Sequence, residues 1–171
     1  MTNIEASLPH ASLIPVDGNE DNRRVARSRE QRLSDTLEKL KSEVDVWVAS
    51  ASSDGVPYLV PLSFYWNGAV MVVTTPRSSR TGRNLLRSGR ARVAIGPTRD
   101  VVVIDARVEE MPVGEDVELE NAFVGATDFD PRPYNAGYTF FRIVPERIQA
   151  WRGEDPEELR DRDLMRDGAF L

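Results

Sequence analysis

Five arginines and a run of hydroxyls share one short stretch of this chain: Thr74-Thr75-Pro76-Arg77-Ser78-Ser79-Arg80-Thr81-Gly82-Arg83-Asn84-Leu85-Leu86-Arg87-Ser88-Gly89-Arg90. Guanidinium groups, hydroxyls and free main-chain N–H groups are the donors that hold a phosphate, and here they stand at a strand-to-helix junction. The apolar run Ala69-Val70-Met71-Val72-Val73 predicts a buried strand. Pro76, Ser78 and Ser79 supply turn and N-cap chemistry, so a short helix should start near Ser79. At about 100° per residue, Arg80, Arg83, Asn84 and Arg87 fall on one face and Gly82, Leu85 and Leu86 on the other. The positive end of the helix macrodipole would add to those charges. A solvated basic face on an amphipathic helix fits the same pattern, so the residues alone leave two readings, an anion seat and a plain surface helix.

Composition narrows the chemistry. The chain has 171 residues, a formal charge of −6, a single histidine, His10, and no cysteine. A pI near 4.9 speaks against a general nucleic-acid or acidic-membrane surface, so the arginine cluster suits a small anionic ligand. Without cysteine there are no disulfides, thiolate nucleophiles, zinc–cysteine sites or thiolate-held iron–sulfur clusters. With one histidine, in a polar amino-terminal stretch, neither serine–histidine catalysis nor a metal site is expected. Any hard chemistry would belong to a bound organic cofactor. The apolar runs are too short to span a bilayer, and residues 1–30 carry no basic-then-apolar leader pattern, so the expected location is the cytoplasm, with neither a membrane nor a nucleic-acid partner.

The elements that must position the cluster can be read in outline. Residues 1–27 read as a flexible tail, with the arginines around position 25 as solvated charge. Leu33, Leu37, Leu40 and Val44 follow Ser28 at helical spacing and predict an amphipathic helix. Strands are expected over Val46–Ala49, over Pro57–Trp66 with Pro61 marking an edge or bulge, and again after the hairpin signal Asn67-Gly68. Further strands are expected over Ala91–Ile95, from Val101, and over Tyr138–Trp151 with a bulge at Pro145; residues 115–124 suggest a short helix. Residues 28–151 thus form one mainly β domain of about six short antiparallel strands, and 152–171 a charged tail packing on that domain or on a dimer partner. Closing such strands into a barrel removes exposed edges but leaves no room inside for a ligand, which must bind outside. Strands apolar at every position also need cover on the outer face, from helices or from a twofold partner.

The helix, then VDVWVASASSDGVPYLVPLSFYWNGAVMVVTTPRSSRTGRNLLRSGRARVAIG, VVVIDARVE and a closing FFRIVPERIQAW, in that order, resemble the pyridoxamine 5′-phosphate oxidase-like split β-barrel superfamily over residues 30–151, and within it the flavin- and deazaflavin-binding branch. The resemblance implies a six-stranded antiparallel split β-barrel with flanking helices, and a homodimer with two sites for FMN or coenzyme F420 at the subunit interface. The ring would lie along Val60, Pro61, Leu62 and Ser63. The phosphate would meet Thr74, Thr75, Ser79, Arg80 and Arg83, with Asn84 beside them, and Trp151 of the closing strand would approach the ring from the other subunit. The activity implied is hydride transfer to or from a small organic substrate; a non-catalytic carrier, storage or sensor protein for the same cofactors is the alternative. Extra arginines such as Arg77, Arg87 and Arg90 would suit the acidic tail of F420. The carboxy-terminal RDRDLMRDGAFL lacks the histidine and basic residues that hold pyridoxamine phosphate in the oxidases proper, so that substrate is not expected. No catalytic residue is assigned: a proton could come from Ser63, Tyr65 or water.

Overall fold

The computed structural model describes residues 25–134 and 137–171. Most of the expected tail, with His10, Arg23 and Arg24, lies outside the described residues. Ser28 opens helix α1 (Arg29–Ser42), its hydroxyl accepting from the Gln31 N–H. The helix buries Arg32, Thr36 and Leu40, with Leu37 packed alongside, so Leu37 and Leu40 of the expected stripe face the barrel, whereas Leu33 is half-buried and Val44, past the helix end, is exposed. Arg32 shares the buried face: its guanidinium enters the interior to donate to Ala150 O at 3.1 Å and to Asp161 at 3.3 Å.

Strands β1 (Asp45–Ala51), β2 (Pro57–Trp66) and β3 (Met71–Pro76) form a meander. The Asn67-Gly68 hairpin forms as expected, with Gly68 at a φ of 101° and the Asn67 side-chain oxygen accepting from the N–H groups of Ala69 and Val70. Helix α2 (Arg80–Ser88), strands β4 (Arg90–Ile95) and β5 (Asp100–Met111), helix α3 (Val117–Thr127) and strand β6 (Tyr138–Arg152) follow. Helix α4 (Pro156–Arg160) and the short strands β7 (Asp163–Arg166) and β8 (Ala169–Phe170) end the chain. The sheet runs β3-β2-β1-β4-β5-β6 with every pair antiparallel, and β3 also pairs with β6, which closes six strands into a barrel around Val48, Phe64, Val93, Ile104 and Ile148. The β5–β6 register shifts between Asp105 and Ala106, opposite the segment carrying Pro145, which is the bulge that proline predicted.

Two observations concern what covers what. Strand β3 is buried from Met71 to Thr75 because its outward Val72 packs with Met111, Phe123 and Phe140 under α3, so a helix of the same chain supplies that cover. Residues 152–171 are a structured extension of the domain: β7 pairs with β6, and Leu164 and Met165 enter the core.

Arg27 and Arg29 are not the solvated charges expected of a tail. Arg27 donates to both carboxylate oxygens of Glu158, to Asp35 at 2.8 Å and to Asp100 at 2.9 Å, and Arg29 pairs with Asp161. Burial by itself would raise the Glu158 carboxyl, but the Arg27 side chain and the main-chain N–H groups of Arg27 and Arg152 all bond it and hold it at about 2. Asp163 is also held at about 2, chiefly by Arg147, with burial opposing and Arg166 and Gln149 adding to the lowering. A carboxyl lowered by folding contributes stability that is complete above its unfolded value, 4.5 for Glu and 3.8 for Asp, and is lost as pH falls toward 2. Urea midpoints measured from pH 7 downward should therefore be flat to about pH 5 and fall steadily below it, with a shallower fall in Glu158→Gln.

Candidate functional site

The seam between β2 and β3 opens after three residue pairs. Phe64, Tyr65 and Trp66 pair with Val73, Val72 and Met71, but Thr74–Pro76 continue along β6 instead. Pro57–Ser63 are consequently paired with β1 on one edge only. The Phe64 N–H donates to Val44 O on the β1 side, so by strand alternation the main-chain groups of Pro61 and Ser63 face the open seam. Pro61, with no N–H to give, costs the sheet nothing there.

The seam is a cavity of about 210 Å³. Pro61, Leu62, Ser63, Thr74 and Thr75, all expected from the sequence, line it together. Its other wall is aromatic and was not anticipated: Phe123 of α3, Phe129 after it, and Tyr138 of β6. Phe129 packs against Tyr134 and Tyr138 with ring centroids 5.7 and 5.8 Å apart. The spacing of aromatics from Phe123 to Tyr138 was a visible signal, but only the fold shows that it meets β2. Val60 is half-buried on β2 and does not line the cavity. The Ser63 hydroxyl donates to Asp45 at 2.7 Å, so it offers lone pairs to a ligand and has Asp45 behind it as its proton acceptor.

Helix α2 begins at the lip of this seam. Ser79 is its N-cap, accepting from the Gly82 N–H at 2.9 Å, and its hydroxyl lies 3.1 Å from that of Thr75. One of these two hydroxyls donates to the other, which leaves one proton for an anion. Thr74 instead spends its proton on Thr139 O at 2.9 Å. Gly82 allows the helix to lie tight on the preceding turn: a Cβ there would stand 2.5 Å from Pro76 O and 2.8 Å from Arg77 O.

The arginines separate into two groups. Arg77 is paired with Glu110 at 2.8 Å and Arg90 with Glu146 at 2.9 Å, so neither is the spare cation that the sequence offered. Arg83 bonds back to Ser78 O. Arg80 and Arg87 are exposed and, among the described residues, have no carboxylate partner; Arg80 sits over the Tyr58 ring of β2, 4.9 Å from its centroid. Asn84 departs from the expected face. It is 5 % exposed and donates to Ser50 Oγ at 3.1 Å, because it lies at the edge of the arc where Thr81, Gly82 and Leu85 pack on the barrel.

Trp151 lies elsewhere, in a groove of about 570 Å³ on the outer face of β1, β2, β4, β5 and β6. Arg162 covers its ring at 5.3 Å, and Trp47 and Leu59, 50 % and 56 % exposed, complete the apolar floor. Arg92 and Arg147 stand at the rim on Asp105 and Asp163. Within one chain Trp151 does not meet the seam cavity.

A closed barrel parted along one seam, with an N-capped basic helix at the parting, defines a split β-barrel protein. The chain belongs to the pyridoxamine 5′-phosphate oxidase family, whose model matches residues 33–152. Solved structures share the fold. An F420 reductase is 15% identical, with a TM-score of 0.55 over 65% of this chain and 93% of that one. A FAD-binding protein from Mesorhizobium loti is 24% identical, with a TM-score of 0.55 over 68% of this chain and 89% of that one. A haem storage protein from Vibrio cholerae is 14% identical, with a TM-score of 0.56 over 70% of this chain and 94% of that one. Among curated proteins no sequence matches. No helix among the described residues is long and apolar enough to cross a membrane.

Proposed function

We propose that this protein is a cytoplasmic homodimeric oxidoreductase that holds FMN or coenzyme F420 at the β2–β3 seam and passes a hydride between its ring and a small organic substrate. One observation carries the reading: five residues expected to touch the cofactor converge on one cavity, and the N-terminus of α2 opens beside it. The donor set suits the group. The unpaired main-chain edge at Pro61 and Ser63 offers polar atoms for the pyrimidine side of the ring, and Arg80, Ser79 and Thr75 offer donors for the phosphate. When bound, the cofactor supplies the hydride chemistry. The chain's own residues grip, orient and keep the ring dry, the last through Phe123, Phe129 and Tyr138. A seam of this size holds part of such a ligand, and the apolar groove around Trp47, Leu59 and Trp151 supports a second copy as the remaining wall.

The visible spectrum of purified protein, followed by titration with FMN and with F420 and by reduction assays against an acceptor panel, tests this. Saturable binding with turnover of an acceptor, by a protein of dimer mass, is the expected result. Binding without turnover would assign the carrier or storage reading, and failure to bind either cofactor would overturn both.

A further inference from the structure

Resting on that cofactor reading, we propose that Tyr58 is a positioning residue: it holds the Arg80 guanidinium in place for the phosphate while leaving every donor of that group free. Arg80 is the first residue of α2, and its guanidinium carbon lies 4.9 Å from the Tyr58 ring centroid. Elsewhere in the same segment Arg77 and Arg90 are restrained by the carboxylates of Glu110 and Glu146, and Arg83 by the Ser78 carbonyl. A carboxylate occupies N–H donors and cancels the charge, so such an arginine is a poor phosphate ligand. An aromatic face restrains the guanidinium through the ring quadrupole and accepts none of its five N–H bonds. The nearby acid, Asp54 in the β1–β2 turn, is bonded by the Ser52 hydroxyl, which lowers it most, while Arg80 and Arg87 act on it only through their field.

The framework behind the pair is fixed at both ends. Tyr58 is the cross-strand partner of Ser50 on β1, and Ser50 in turn accepts from Asn84 of α2. The strand carrying the ring and the helix carrying the guanidinium are thus referenced to one residue. This gives the inward-turned Asn84 a role: it sets α2 against β1 and β2 and does not itself touch the anion. Ordering Arg80 before the ligand arrives reduces the entropy lost on binding, a gain that only a phosphate-bearing ligand collects.

The test compares phosphate-bearing and phosphate-free ligands on the full chain: FMN against riboflavin, and F420 against its phosphate-free deazaflavin core, in wild type, Tyr58→Phe and Tyr58→Leu. Wild type should prefer the phosphate-bearing member of at least one pair by tenfold or more. Tyr58→Leu should cut that preference about three- to tenfold with affinity for the phosphate-free member unchanged, and Tyr58→Phe should retain it. An unaltered preference in Tyr58→Leu, or an equal loss for both members, overturns the positioning role and leaves the cofactor site standing. Wild-type protein that binds none of the four ligands overturns the site itself.

Discussion

Arg80→Glu should weaken binding of FMN or F420 by about a hundredfold or more while leaving the protein folded. A charge-assisted hydrogen bond contributes roughly 1.5–3 kcal/mol, and reversing the charge adds repulsion against the phosphate. The fold should tolerate the change because Arg80 is exposed and has no carboxylate partner among the described residues to strand. Glutamate in the first turn of a helix is also favoured by the macrodipole, so α2 gains a little from the substitution. Isothermal titration with FMN, F420 and riboflavin checks this, and circular dichroism controls for folding. Riboflavin affinity should be untouched. Unchanged affinity for both phosphate-bearing cofactors would remove α2 from the site.

The second large effect is on stability. Glu158→Ala should lower the unfolding free energy by about 3–5 kcal/mol, because it removes the main partner of a buried arginine. The side chains of Arg27 and Glu158 are 6% and 1% exposed, and the carboxylate also satisfies the main-chain N–H groups of Arg27 and Arg152. For a chain of this length the melting temperature should fall by roughly 10 °C. Asp35 and Asp100 still face Arg27, so the loss should stop short of unfolding the protein. In the pair variant Arg27→Met with Glu158→Leu much of the loss should return, since neither charge then stays buried alone. A melting temperature within 2 °C of wild type for Glu158→Ala would mean, roughly, that the network contributes little.

The parts of the molecule legible in the sequence are those whose cause is local. Asn67-Gly68 makes its turn through φ and its own side chain, Ser28 and Ser79 cap the helices they precede, and Pro145 marks a bulge because it has no N–H. Pro61, Leu62, Ser63, Thr74 and Thr75 were grouped only by the resemblance to the split-barrel superfamily, and the fold brings them to one cavity. What the sequence concealed depends on distant partners. Arg27 and Glu158 are 131 residues apart, and neither looks like half of an ion pair until α4 returns to α1. Asn84 sits on the boundary between two helix faces, and only the presence of Ser50 decides which way it turns. Phe123, Phe129 and Tyr138 drew no site assignment from the sequence because β2, the strand they oppose, lies far upstream.

That aromatic wall belongs to a different stretch of chain from the floor it faces. The floor comes from β2 and β3 with the start of α2 beside it, whereas Phe123 and Phe129 of the wall come from the connection between β5 and β6 and Tyr138 from the first residue of β6. The β3–β6 ladder ties Tyr138 to the floor, with Pro76 opposite Tyr138 and Thr75 opposite Thr139, whereas Phe123 and Phe129 lie outside every strand ladder. On the proposed cofactor reading, natural variation in the β5–β6 connection would remodel which molecules are admitted over the ring while β2, β3 and α2 keep their grip, so substrate choice and cofactor retention would evolve as separate traits within one barrel.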